Sequence, residues 1–182
     1  MPQAQFSLFK PKTKNNYLLQ EVVSALQKDI RRGNEENALV WALELFPKYS
    51  NYLWKRLVII SAEDMESPRA CAVVNALREA FYFTNEDKKK GNEYKHRIFI
   101  TKAVLFLSRE VKSRESDHAQ FHVDEIMKTG KLLAIPDFAI DFHTKRGKTS
   151  GATKRKFFEE EQKNLKPKGA DAYFDKLNME NL

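Results

Sequence analysis

Six cationic side chains, Lys145, Arg146, Lys148, Lys154, Arg155 and Lys156, crowd into one stretch with Gly147, Thr149, Ser150 and Gly151. Cations at this density neutralise phosphates. Small residues among them let the backbone come close and offer amide donors, so the first chemistry suggested is nucleic-acid contact. His143, Phe157 and Phe158 flank the group. Such rings suit stacking on unpaired bases, although two adjacent phenylalanines suit anchoring the segment to a core better. Glu159, Glu160 and Glu161 follow at once and can neutralise the basic turn as a helix continues. Just upstream, Asp137 and Asp141 stand four residues apart. A helix would stack both carboxylates on one face, where with His143 they could hold a divalent ion for a small metal-dependent nuclease. Against this, Asp137 directly after Pro136 is well placed as a helix cap, and Asp141 can pair with Lys145.

Other candidate chemistry is weaker. Gly147-Lys148-Thr149 looks like the end of a phosphate loop, but the residue five before that glycine is Phe142 and no strand precedes it. His118 and His122 share a helix face at i and i+4, as zinc ligands do, with Asp117, Asp124 or Glu125 near enough in sequence to join them. No glutamate follows the first histidine, which rules out the zinc-protease pattern, and histidines on a polar face are ordinary surface residues. No catalytic set, metal or cofactor is expected. The single cysteine, Cys71, forms no intrachain disulfide or Cys-rich finger and reads as a small buried hydrophobe.

The elements that would position these groups are helices. Leu18, Val22, Leu26 and Ile30 recur every fourth residue, widened by Leu19 and Val23, with Asn16 as a cap and Gly33 as the left-handed stop. Asn34 caps a second helix with Glu35 and Glu36 in its first turn, Ala38, Leu39, Ala42, Leu43 and Phe46 inward, and Pro47 ending it. A third carries Leu53, Leu57 and Ile60 inward. Ser67 and Pro68 open a fourth that buries Ala70, Val74, Leu77 and Phe81. After the charged loop 85–93, a fifth over 94–108 buries Phe99, Ala103, Phe106 and Leu107, and 115–129 reads as a sixth. A short helix over 170–178 closes the chain. The expected fold is all-α: a flexible arm over 1–16, then a single helical domain over 17–182 that includes a basic loop at 143–156.

The first half of this pattern resembles a known family. Ser24, Ala25, Leu26 and Lys28, then Arg32 and Gly33, then Ala38, Leu39 and Trp41, then Arg56, Leu57 and Val58, then Ala62, Glu63 and Asp64 follow the order found behind the ATPase module of the replication-associated recombination protein A (MgsA) family. That family includes the Werner-helicase-interacting ATPases and is akin to clamp loaders. The run Thr101–Leu107 is similar to its Gln-Ala-Val-Leu-Tyr-Leu helix, and Val111-Lys112-Ser113 to the Pro-Lys-Ser that follows, with Arg114 standing where the family has Asn. The match covers roughly the first two thirds of the chain. It implies a replication- or recombination-associated role for a clamp-loader-like helical region that joins subunits into a tetramer. The AAA+ ATPase module has no room here, so a non-enzymatic protein is expected, acting with DNA or with an ATPase relative supplied by another chain. Two alternatives stand beside it: a decoy or partner subunit of such an ATPase, and the small nuclease.

Within the arm, Gln5-Phe6-Ser7-Leu8-Phe9 resembles the pentapeptide by which many bacterial replication proteins hold the sliding clamp. Leu8 and Phe9 would enter an apolar pocket and Gln5 would bond at its rim, while Phe6 replaces the usual leucine. The alternative is an arm that buries its phenylalanines on its own helices. Composition is compatible with these readings. A hydrophobic fraction of 42% supports a core, six glycines and six prolines are too few for an all-β sandwich, and the net charge of +7 favours an anionic partner. No apolar run is long enough for a membrane span and no signal peptide is evident, so a cytoplasmic protein is expected. Trp41, Tyr49, Tyr52 and Trp54, close in sequence, supply aromatic area for a subunit interface.

Overall fold

The computed structural model describes residues 11–84 and 93–178. Among them the fold is all-α, with no strand. In place of one helical domain over 17–182, the chain divides into two compact units, Met1–Lys128 and Thr129–Leu182.

The first unit holds α1 (Leu19–Arg32), α2 (Glu35–Leu45), α3 (Ser50–Glu63), α4 (Arg69–Thr84), α5 (Glu93–Arg109) and α6 (Glu115–Lys128). The amphipathic spacing of α1 does what it predicts: Val22, Val23, Leu26 and Ile30 are buried, and Gly33 ends the helix at φ 74°, its N–H bonded back to Asp29 and Ile30 carbonyls. That φ is the left-handed region where a Cβ is strained. α5 is the shared element, packing on α1, α2, α3 and α4. It places Ile100, Ala103, Val104 and Leu107 against Leu26, Ile30, Leu57 and Phe81 in one continuous core. Ala38 and Ala42 on α2 are fully buried small residues beside it, so the helix axes can approach closely.

Several local expectations are corrected. Asn16 does not cap α1; it sits at φ 68°, and the position preceding the helix is Leu18, with no side-chain cap. Asn34 is the N-cap residue of α2 but spends its amide on Asp29 Oδ1, 3.0 Å away, instead of on the helix. Ser67 does act as expected, accepting the Arg69 N–H at 3.3 Å. Cys71 is only half-buried and accepts the Ser61 hydroxyl at 3.4 Å. The stretch 11–16 is no free arm. Leu19 N–H donates to Pro11 O at 3.0 Å and Lys14 Nζ to Leu43 O at 3.1 Å. Asn15 gives its backbone N–H and its amide to the two oxygens of Glu44, at 2.9 and 2.5 Å. This explains a carboxylate on the inner side of α2, since Glu44 is 6% exposed and held by the arm. The aromatic set also turns inward: Trp54 is fully buried against Phe81, and Trp41 donates its indole N–H to Asp29 Oδ2 at 2.8 Å while Tyr17 meets it edge-on. Only Tyr52 of the four is exposed enough to offer much outward surface.

The second unit holds α7 (Lys145–Thr149), α8 (Lys154–Asn164) and 3-10 turns at Asp137–Ala139 and Phe174–Lys176. The helix expected over 170–178 is reduced to the last of these. Asp171 caps it, accepting the N–H groups of Tyr173 and Phe174 at 2.9 and 3.1 Å, which hold its carboxyl below the usual range. Among the described residues no helix is long and apolar enough to cross a membrane.

Candidate nucleic-acid interface

The basic residues of the second unit sit on consecutive helical starts. Thr144 caps α7 through the Gly147 N–H at 3.0 Å, and Thr153 caps α8 through the Lys156 N–H at 3.3 Å. Lys145, Arg146 and Lys148 therefore project from α7, and Lys154, Arg155 and Lys156 from the first turn of α8; all six are exposed. Three cations in a first turn oppose the helix dipole, which favours acids there, so the local sequence is not optimised for helix stability. Arg155 is offset by Glu159, its Nε 3.0 Å from the carboxylate one turn on. The other five have no acidic partner among the described residues. The expected neutralisation by Glu159–Glu161 thus reaches a single arginine, while Glu160 pairs with Lys163 at 3.4 Å.

The backbone takes no part in the way its composition suggested. The Gly147 N–H is bound to Thr144, Ser150 N–H to Arg146 and Gly147 carbonyls, and Gly151 N–H to Lys148 O. Gly147 is needed for close approach: a Cβ there would lie 1.8 Å from Asp141 O. The amides of these three small residues are thus engaged within the unit, and what they leave to present is the side-chain cations.

The rings are likewise engaged within the unit. Phe142 and His143 stack at 3.9 Å between centroids, and Phe157 meets them edge-on at 5.3 and 5.1 Å, with Phe158 5.5 Å beyond. This cluster anchors the start of α8 to the turn before α7, as the adjacent phenylalanines suggested, and leaves His143 exposed at one edge. The carboxylate pair fares differently. Asp137 begins a 3-10 turn that ends at Ala139, so the helix that would have stacked it on Asp141 does not form. Asp141 instead accepts the His143 N–H at 2.9 Å, and no ion pair joins it to Lys145 among the described residues. The His118 and His122 rings are on the exposed α6, and no group of three His, Cys, Asp or Glu side chains suited to a metal occurs among the described residues. Gln5, Phe6, Leu8 and Phe9 lie outside them.

One cluster went unread in the sequence. Asp64, fully buried at the end of α3, receives Arg114 Nη1 at 2.8 Å and Gln27 Nε2 at 2.9 Å, with Arg31 Nε at the ion-pair distance of 2.9 Å. Arg114 also bonds Glu63 and Asp117. These bonds, Asp64 and Glu63 first, stabilise its charged form and raise its pKa. The signal available was the neighbouring acids Glu63-Asp64 at a helix end, with Arg31 far off in sequence and Arg114 in an irregular segment. The network ties α1, α3 and the start of α6 together, and it occupies the position where the resemblance expected a family loop with Asn. Compared with models of known protein families and with curated protein sequences, the chain matches none.

Proposed function

We propose that this protein is a non-enzymatic, DNA-contacting partner in replication or recombination, acting as an oligomer. The observation that carries the DNA part is the exposed basic surface of α7 and α8, in which Lys145, Arg146, Lys148, Lys154 and Lys156 have no acidic partner among the described residues. Such cations neutralise phosphates, a contact that by itself carries no sequence information. The replication setting, a tetrameric state and a cytoplasmic location rest on the resemblance to the clamp-loader-like family. Because Trp41 and Trp54 serve the core, a subunit interface would draw on other apolar groups, and exposed Val123 and Met127 on α6 are among those available. Binding to a bacterial sliding clamp through Gln5, Phe6, Leu8 and Phe9 completes the reading, and an AAA+ ATPase relative is the further partner the resemblance suggests.

Five neutralised phosphates give a salt dependence of log K against log [salt] with a slope of about −4.5 on duplex DNA. Changing Lys145, Arg146 and Lys148 to Ala should reduce that slope by about 2.7 and weaken binding to all sequences alike. Affinity that is insensitive to salt, or magnesium-dependent nicking that disappears in Asp141→Ala, would overturn the proposal in favour of the nuclease. For the clamp, Leu8 and Phe9 changed together to Ala should abolish an affinity on the order of micromolar without altering DNA binding. A monomer by light scattering at about tens of micromolar would remove the oligomer.

A further inference from the structure

Two aromatic rings of the second unit stand in solvent. Phe138 is 87% exposed and Tyr173 72%, whereas Phe142, Phe157 and Phe158 pack on one another. Each exposed ring is carried on a 3-10 turn fastened to one of the two basic helices. The turn Asp137–Ala139 is closed by the Ala139 N–H on Pro136 O and the Ile140 N–H on Asp137 O, both at 3.0 Å. It runs into Asp141, whose carbonyl accepts the N–H of Thr144 at 3.1 Å and its hydroxyl at 2.9 Å. Thr144 caps α7, and the same Asp141 carbonyl lies against Gly147 inside that helix. Three residues of chain span about 11 Å at most, so Phe138 is held beside α7. The turn Phe174–Lys176 is tied to α8 in a similar way. Asp171 caps it through Oδ1 and takes Nε2 of Gln162, on α8, through Oδ2 at 3.2 Å. Tyr173 follows two residues later, and Lys176 Nζ lies 4.5 Å from the centre of its ring, which adds a cation at an exposed aromatic face.

One exposed ring needs no explanation. Here two are fixed beside helices that present cations without acidic partners among the described residues, and a ligand must suit both features. A nucleic-acid strand with unpaired bases does so: its phosphates meet the cations, and its bases offer flat apolar faces that a duplex keeps stacked inside. We propose that the second unit binds single-stranded nucleic acid, with phosphates on the cations of α7 and α8 and bases stacked on Phe138 and Tyr173. This rests on the DNA reading above and adds to it the form of the strand and the two side chains that select it.

Fluorescence anisotropy with the full-length protein, a labelled oligothymidylate of about 16 nucleotides and a blunt duplex of equal length tests it. Phe138→Ala and Tyr173→Ala should each weaken the single strand about tenfold and leave the duplex within about twofold. Both positions are exposed, so the packed cluster around Phe142 and Phe157 is untouched. Neither change should alter the slope of log K against log [salt], since no cation is removed, whereas Lys145→Ala should reduce it by about 0.7 on the single strand. Phe138→Leu separates stacking from apolar contact: it should bind as poorly as Phe138→Ala, and Phe138→Trp should restore the parent's affinity. An oligouridylate in parallel shows which sugar is accepted, and ring-dependent binding of either strand supports the site. Ring variants that hold the single strand as the parent does, or that lose the duplex equally, would overturn the proposal. So would a Phe138→Leu that binds like the parent. Salt-dependent binding with no effect of the rings removes this inference and leaves the basic surface standing; binding of neither form removes both.

Discussion

At the scale of single residues, the strongest constraint is the Asp64 carboxylate, wholly buried and satisfied by Gln27, Arg31 and Arg114. Removing one partner of such a set leaves the others as unpaired charges in a partly dehydrated place, which costs more than the set contributes when intact. Asp64→Ala should therefore destabilise the first unit by about 3 kcal/mol, at the low end for buried pairs because both arginines are about a third exposed, and lower its Tm by roughly 10 °C. Thermal denaturation followed by circular dichroism measures it, and a loss below about 1 kcal/mol would show the network to be surface decoration. The same reasoning explains why the cluster was illegible. Its four side chains come from α1, α3 and the segment before α6, and no sequence period connects them.

At the scale of elements, legibility followed the number of buried faces. α1 is buried on one side, so its stripe stood out in the sequence and its core residues were read nearly complete. α5 is surrounded by four helices, its apolar residues are spread around the axis, and Ile100 and Val104 escaped a reading based on one stripe. The segment 11–16 was misread for the opposite reason: it is polar, and the partner that orders it, Glu44, lies 29 positions further along. That contact has a pH signature. Burial pushes the Glu44 pKa up, but bonds from Thr13 and Asn15 and the charge of Lys14 outweigh it, and the net shift is downward from 4.5. A depressed carboxylate contributes stability that is fully present above its unfolded pKa and is lost as pH falls through the folded one. Amide exchange at Asn15 should thus be slow at neutral pH and accelerate, relative to the intrinsic rate, as pH drops below about 4.5. Glu44→Gln should show the faster exchange already at neutral pH. Protection at Asn15 equal in the variant and the parent would mean that the carboxylate is not what holds this segment.

At the scale of the whole molecule, the division at Lys128 and Thr129 falls beside chain without regular structure: 131–136 forms no helix, and Leu132, Leu133 and Ile135 are 93%, 80% and 64% exposed. Exposed, irregular backbone is where proteases cut. Brief trypsin treatment should cleave first after Lys128 or Lys131, and mass spectrometry of the products should show an N-terminal fragment ending there. Early cuts within α1–α5 instead would mean that those helices open as readily as the junction.

The place of α5 has a consequence for synthesis. Since α5 packs on α1, α2, α3 and α4, the apolar sides of those earlier helices have no complete cover until residue 109 has been made. At ordinary elongation rates the last residue of α1 is joined roughly 4–15 s before the last residue of α5. Until α5 follows, Val22, Leu26 and Ile30 lack their full cover, and a ribosome stalled before α5 would release a chain that cannot close. In the order of synthesis, α5 is the element that completes this core.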